Sequence, residues 1–364
     1  MKYLDEFRKK EPFQAILSKI ASLPLQEISL MEVCGTHTVA ISKSGIRRVL
    51  PPGIRLISGP GCPVCVTSLE DVDTIIFLAA QGRDHGNFII TTFGDMMRVP
   101  GSHSSLLKEK ARGSDIRIVY SPVDALKLAK ENTTKEVIFF AVGFETTSPT
   151  FAATILQAVQ EGVTNFSLLS HNKRIPPAME VLLDDQNIKI DGFICPGHVS
   201  AIIGTAPYQT IVNRYHRGCV VSGFEPLDII LSIYWLMLQK NEGTPRVEIE
   251  YSRVVHPEGN TRALSILNQV YETSEARWRG FGTIPQSGLK LKEEFTLYDA
   301  GKKFELPTPE VKEPKGCQCS QVLKGIITPG ECPLFATACT PSEPVGACMV
   351  SSEGSCAVYY KYER

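Results

Sequence analysis

The sequence predicts an α/β protein of two similar parallel-sheet domains followed by a cysteine-rich C-terminal domain. Three observations predict it. Short apolar, β-branched runs alternate with helical segments up to about residue 240, the pattern of parallel strands joined by crossover helices. Beyond residue 240 the alternation stops, and proline and mixed charge take over. The cysteines are unevenly placed, with six of the eleven in the last 48 residues. A chain of 364 residues also exceeds the ~100–200 residues of a typical domain, so two or three are expected.

Leu4, Phe7, Phe13, Ile16, Leu17 and Ile20 recur at helical spacing and predict an opening helix. Strands are predicted at Ile28–Val33, Ile54–Ile57, Phe88–Thr92, Ile116–Tyr120, Val137–Val142, Phe166–Leu169, Phe193–Ile194 and Cys219–Val221. Helices fit Leu69–Ala80, Val123–Lys130, Phe151–Gln160 and Pro226–Gln239. The polar stretch Lys130–Glu136 reads as a linker, which places domains at 1–134, 135–240 and 241–364. In the last of these, Arg246–Val255 alternates like an exposed strand and Arg262–Tyr271 reads as a helix. The three prolines of Glu305–Gly316 read as a stiff connector to the cysteine-rich tail.

Composition narrows the function. Thirty-eight Lys+Arg against thirty-nine Asp+Glu excludes a polybasic nucleic-acid surface as the main business. The longest apolar run, Ile229–Leu238, falls far short of the ~20 residues of a membrane span. The charged opening MKYLDEFRKK lacks the apolar core of a secretory signal. The expectation is a cytoplasmic protein, whose clustered cysteines then point to metal or redox chemistry, not to structural disulfides. Neither a Walker A motif nor G-x-G-x-x-G occurs, so no nucleotide site is indicated.

The distinctive polar motifs begin where strands end. Val33 is followed by Cys34-Gly35-Thr36-His37-Thr38, Ile57 by a turn leading to Gly59-Pro60-Gly61-Cys62-Pro63-Val64-Cys65, and Thr92 by Phe93-Gly94-Asp95-Met96-Met97-Arg98. Val142 is followed by Gly143-Phe144-Glu145-Thr146-Thr147, Ile194 by Cys195-Pro196-Gly197-His198, and Val221 by Ser222-Gly223-Phe224-Glu225. Ligands of open α/β sheets bind outside the carboxyl ends of the strands, so these turns predict shared crevices. Phe93, Phe144 and Phe224 are expected as core plugs beneath them.

Cys62 and Cys65 form a C-x-x-C pair between strand and helix, with Thr67 or Ser68 as the helix cap. A helix N-terminus lowers thiol pKa, so the pair reads as a reactive or metal-sharing dithiol. The alternative, half of a zinc site, needs a second pair that the chain lacks. Cys34 sits in an open Gly/Thr turn and reads as functional. His37 is equally a metal ligand or a capping residue. His198 is a candidate acid–base group or ligand, while Cys195 and Cys219 read as buried core. Asp95 and Glu145 are candidate proton donors or orienters, or alternatively loop caps. Arg98 either grips a partner carboxylate or pairs on the surface. The tail cysteines 317, 319, 332, 339, 348 and 356 are too dense for chance and select zinc or iron–sulfur chemistry. Four thiolates hold a [4Fe–4S] cluster, leaving two as a redox pair. Spacing alone does not say which four.

The motifs MEVCGTHT, GPGCPVC, TTFGDMMRVPGS, CPGHVS and the tail CxC…VLxG…CPLF…CTPxxPxGxCMVSSEGxC resemble the HypD family of [NiFe]-hydrogenase maturation factors, from about residue 27 to 364. The resemblance implies two similar α/β domains and a C-terminal iron–sulfur domain with one [4Fe–4S] cluster. It implies a stable complex with the small chaperone HypC, transient cyanide delivery by HypE, and an indirect service to the hydrogenase large subunit. The product is the Fe(CN)2CO unit, with Fe(II) at Cys34 near Cys62 and Cys65, and with a supporting role in forming CO by reducing iron-bound CO2. By similarity to ferredoxin:thioredoxin reductase, the cluster ligands would be Cys317, Cys332, Cys339 and Cys356, and Cys319 with Cys348 the redox disulfide. One departure is Ser320, where the family commonly has Gly, which puts the local backbone geometry in question. Two competing expectations are an iron–sulfur thiol–disulfide reductase acting on a protein disulfide and a zinc-stapled binding module.

Overall fold

The computed structural model describes residues 5–24, 27–307 and 311–364. Leu4 of the expected opening helix and residues 308–310 of the expected connector lie outside them. The strands are β1 (Ile28–Glu32), β2 (Ile54–Ser58), β3 (Phe88–Thr92), β4 (Ile116–Ile118), β5 (Glu136–Gly143), β6 (Phe166–Asn172), β7 (Gly192–Pro196), β8 (Gly218–Ser222), β9 (Val247–Ile249), β10 (Tyr271–Trp278) and β11 (Gly282–Leu291). Two fully parallel sheets result, ordered β2-β1-β7-β8-β9 and β4-β3-β5-β6. Both central regions are covered on two faces by helices, which is why β5 (EVIFFAVG) and β8 (GCVVS) read as continuous apolar runs instead of alternating. All eight strands expected before residue 240 form. The expected Arg246–Val255 strand shortens to β9, at the edge of the first sheet.

The two sheets interleave along the chain. The chain leaves the first sheet after β2, builds the whole second sheet, and returns at β7. The boundary expected between residues 134 and 135 therefore falls inside the second sheet, where Phe88 of β3 pairs with Glu136 of β5. Residues 135–240 contain β5 and β6 of the second sheet and β7 and β8 of the first. The stretch Lys130–Glu136 is a pinned crossover turn, not a linker. The Asn165 side-chain amide donates to the carbonyls of Ala129, Asn132 and Lys135 at 2.9, 3.2 and 2.9 Å.

Residues 241–364 likewise divide their allegiance. The antiparallel hairpin β10–β11, with a bulge between Ser274 and Ala276, buries Tyr271, Leu289 and Leu291 in the core of the second sheet. The cysteine-rich tail packs mainly on the first, while its Ala347 and Val350 enter a core of the second. Its Val322, Leu323, Cys348 and Cys356 share one apolar cluster with Met31, Val33, Ile57, Cys62 and Cys65. The last helix, Ser355–Tyr362, is fastened by Arg47, whose guanidinium lies 5.3 Å from the Tyr359 ring centroid and 3.7 Å from Glu363. No helix among the described residues is long and apolar enough to cross a membrane.

Candidate functional site

Strand order locates the site before any side chain is considered. In the first sheet the connections diverge between β1 and β7, because β1 leads outward to β2 and β7 leads the other way to β8 and β9. The second sheet repeats this divergence between β3 and β5. A ligand crevice forms at such a switch point, at the carboxyl ends of the strands. The first switch point brings together Cys34, Pro196-Gly197-His198, the Cys62–Cys65 turn and Gly223-Phe224. The turns Phe93–Arg98 and Gly143–Thr147 flank the second. The six turns thus split into a group of four and a group of two.

Cys34 precedes the helix Gly35–Ser44 with an extended backbone (φ −149°, ψ 124°). The N–H groups of His37 and Thr36, free at the helix start, point at its sulfur, yet burial and the nearby Glu353 charge push the thiol up to about 11. A bound cation would reverse that balance, since a coordinating thiol is deprotonated outright. Gly35 N–H donates to Gly61 O at 3.0 Å, and a side chain at Gly61 would strike the backbone nitrogen and Cα of Cys34. Only glycine lets the two cysteine turns touch.

Cys62 caps the one-turn helix Pro63–Val66, its sulfur accepting the Cys65 N–H at 3.3 Å. Cys62 is 4% exposed and Cys65 0%, and burial raises the Cys65 thiol well above its usual value. Ser68, not Thr67, caps the long helix Leu69–His85 through the Asp71 N–H at 3.1 Å. Cys65 contacts both Cys62 and Cys348, Cys348 contacts Cys319 and Cys356, and Cys319 contacts Cys317. The thiols therefore form an unbroken file from the switch point into the tail. All eleven cysteines are free thiols, Cys319 and Cys348 included.

In the tail, Cys317, Cys319, Cys332, Cys339 and Cys356 line one small cavity with Leu334, Phe335, Met349 and Gly346. A Cβ at Gly346 would lie 2.7 and 2.8 Å from the sulfurs of Cys317 and Cys319, and Cys339 Sγ accepts the Val345 N–H at 3.3 Å. Among the described residues, no three His, Cys, Asp or Glu side chains converge on a single ion position. The cavity is apolar and rimmed by five thiols, a soft donor set whose chemistry suits zinc or a [4Fe–4S] cluster. Ser320 lies in the short helix Cys319–Leu323 and has no positive φ, so glycine's freedom is not needed there.

His37 is neither a cap nor placed as a surface ligand. It is fully buried, its Nε2 donating to Gly223 O at 2.9 Å, and burial lowers its pKa to about 4, so the ring is neutral. Its ring stacks on Phe224 at 4.6 Å, and Phe224 also stacks with His198 at 4.0 Å. Phe224, expected as a plug, is a half-buried plate shared by two imidazoles. His198 itself is exposed, its pKa lowered by partial burial against the opposing pull of Glu353.

The second switch point holds different functions. Glu145 is buried, and its carboxylate accepts the Ile175 N–H at 3.0 and 3.3 Å, capping the helix Ile175–Asp184. Burial pushes its pKa up to about 7. Arg98 donates to Pro341 O and Val350 O at 3.1 and 3.2 Å, which pins the tail to this sheet and engages two of its donors. Asp95 lies half-buried in the 3-10 turn Gly94–Arg98, away from the four-turn group. Phe93 packs edge-on against Phe139, and Phe144 stacks on Trp278. Cys195 and Cys219 are fully buried on adjacent strands.

Glu353 was not a sequence candidate. Thr36 Oγ1 donates to its Oε1 at 2.7 Å, and Gly35 has no room for a Cβ against it. The one signal was a lone acid in the Ser/Gly run Ser351–Ser355.

The comparisons place the chain in a family. The family described as HypD, hydrogenase formation hypA family, matches residues 11–363. The chain belongs to the HypD family. It is 43% identical to the hydrogenase maturation factor HypD of Escherichia coli over all of this chain and 99% of that protein. It is 43% identical to that of Cupriavidus necator, over all of this chain and 98% of the relative, and 44% to that of Rhodobacter capsulatus with the same coverage. Membership of the HypD family carries with it a general role in hydrogenase formation.

Proposed function

We propose that this chain is the scaffold on which, in complex with HypC, the Fe(CN)2CO unit of a [NiFe]-hydrogenase is assembled. The observation that carries the reading is the file of thiols that begins at the switch point and ends at the tail cavity. The iron substrate is held by the Cys34 thiolate, shared with a thiolate of HypC, at the carboxyl end of β1. Cyanide arrives from HypE. Cys62 and Cys65 lie against the Cys34 turn, where they bind the iron or cycle between dithiol and disulfide. His198, at the mouth, and Glu353, beside Cys34, are the groups placed to deliver or hold protons. Neither Glu145 nor Asp95 belongs to that set.

Cys317, Cys332, Cys339 and Cys356 would hold a [4Fe–4S] cluster, which would supply single electrons. Cys319 and Cys348, in mutual contact, exchange with Cys65 and Cys62 by thiolate attack on a disulfide sulfur. Oxidising the Cys62–Cys65 dithiol releases two electrons and two protons, the number that turns CO2 into CO and water. The competing reading, reduction of an external protein disulfide, requires an accessible attacking thiolate. The near-complete burial of Cys62 and Cys65 disfavours it.

The test is anaerobic co-purification with HypC, followed by iron counting and infrared spectroscopy. The complex should carry iron beyond the cluster and show CN and CO bands. Cys34→Ala should lose that extra iron and keep the cluster absorbance. Full iron loading in the variant would sink the assignment.

A further inference from the structure

We infer that Arg279 is the charge partner of the tail's iron–sulfur cluster and holds its reduction potential up. The inference rests on the cluster reading above. Arg279 lies in the turn between β10 and β11, its side chain 1% exposed. Its backbone N–H donates to Val66 O at 2.9 Å and its Nε to Thr67 O at 3.0 Å, so it grips the end of the dithiol helix. Its only carboxylate within ion-pair range among the described residues is Glu313, at 3.9 Å from Nη1 and 58% exposed. Its Nη2 is buried with no partner. A guanidinium cannot shed its proton, and a buried cation without an anion is strongly destabilising.

The missing anion is adjacent. The neighbouring Gly280 packs so closely on Ser320 that a Cβ would lie 2.8 Å from its Cα, which puts the turn directly on the Cys317-x-Cys319 segment. A four-thiolate [4Fe–4S] centre carries net negative charge in both redox states, and one more unit after reduction. A fixed cation and its N–H donors stabilise the reduced state more, which raises the potential. The residue that supports the dithiol helix thus also biases electron arrival at the cluster feeding it.

The full chain is reconstituted anaerobically as wild type, Arg279→Lys, Arg279→Gln and Glu313→Gln. Iron and sulfide are counted, and the cluster is titrated against potential by absorbance or electron paramagnetic resonance. Arg279→Gln should retain the cluster with its one-electron reduction equilibrium weakened about tenfold, a fall of about 59 mV. Arg279→Lys, which keeps the charge, should stay within about threefold of wild type, and Glu313→Gln should not fall. A loaded Arg279→Gln with unchanged potential overturns the inference. If Arg279→Gln fails to load, Arg279→Lys decides: loading with a near-native potential supports it, and a failure to load or a glutamine-sized fall overturns it. A wild type without iron and sulfide refutes the cluster reading itself, which the counts show before any titration.

Discussion

Glu145→Gln separates a helix cap from a proton donor. Burial raises the folded-state pKa of Glu145 from 4.5 to about 7, so between those values the folded chain binds the proton that the unfolded chain has released. Stability on this account is greatest below pH 4.5 and falls as pH rises to about 7. That interval, at about 1.4 kcal/mol per pH unit, amounts to about 3 kcal/mol lost by the wild type. Glutamine keeps a carbonyl oxygen for the Ile175 N–H and does not titrate. At pH 5 the wild type has already lost part of this stability, so roughly 2–3 kcal/mol separates pH 5 from pH 8. The variant should therefore be more stable than wild type at pH 8 by about 2 kcal/mol and nearly equal at pH 5. With about 2.1 cal/mol/K per residue over 364 residues, the difference is about 3 °C in melting temperature at pH 8. Differential scanning of both proteins at the two pH values reads it directly, and iron loading with HypC should stay at the wild-type level. A variant that melts below wild type at pH 8 would refute the burial-raised pKa, and one that melts as expected but loses iron would show that capping is not its only role.

Gly61→Ala places a Cβ on the Cys34 backbone, so it should destabilise by about 1–3 kcal/mol and lower iron loading more than cluster content; melting and iron counts check this. Cys348→Ser should keep cluster iron but leave Cys62 and Cys65 unreduced in an anaerobic thiol-labelling assay after partial unfolding, whereas Cys332→Ser should lower iron and sulfide first. Glu353→Gln removes a charge that raises the Cys34 pKa; the pH profile of Cys34 alkylation should move to lower pH, and an unmoved profile would place Glu353 outside the site.

Much of the site was legible because its parts are local. Cys34, Cys62 and Cys65 each stand at the end of an apolar strand run, and a strand end is a sequence-local event. The tail's thiol density was legible for the same reason. The misreadings share one physical cause. Lys130–Glu136 has the composition of a linker, and only the Asn165 amide, some thirty residues later, turns it into a fixed crossover. Glu145 and Asp95 sit in turns like those around Cys34 and Cys62, but on the other sheet.

The sequence by itself determined the eight strands, the crossover rhythm, the C-x-x-C turn and the thiol density of the tail, since periodicity and spacing act within a few residues of chain. Tertiary structure decided which strands became neighbours, and with them which turns share a crevice. Parallel pairing joins segments far apart in sequence, as when β1 pairs with β7, and no local pattern encodes that choice. It also decided that Glu353 and Arg279, unremarkable in their own segments, stand beside Cys34 and Cys317. Burial then gave each a consequence, because a charge removed from water acts strongly on its neighbours.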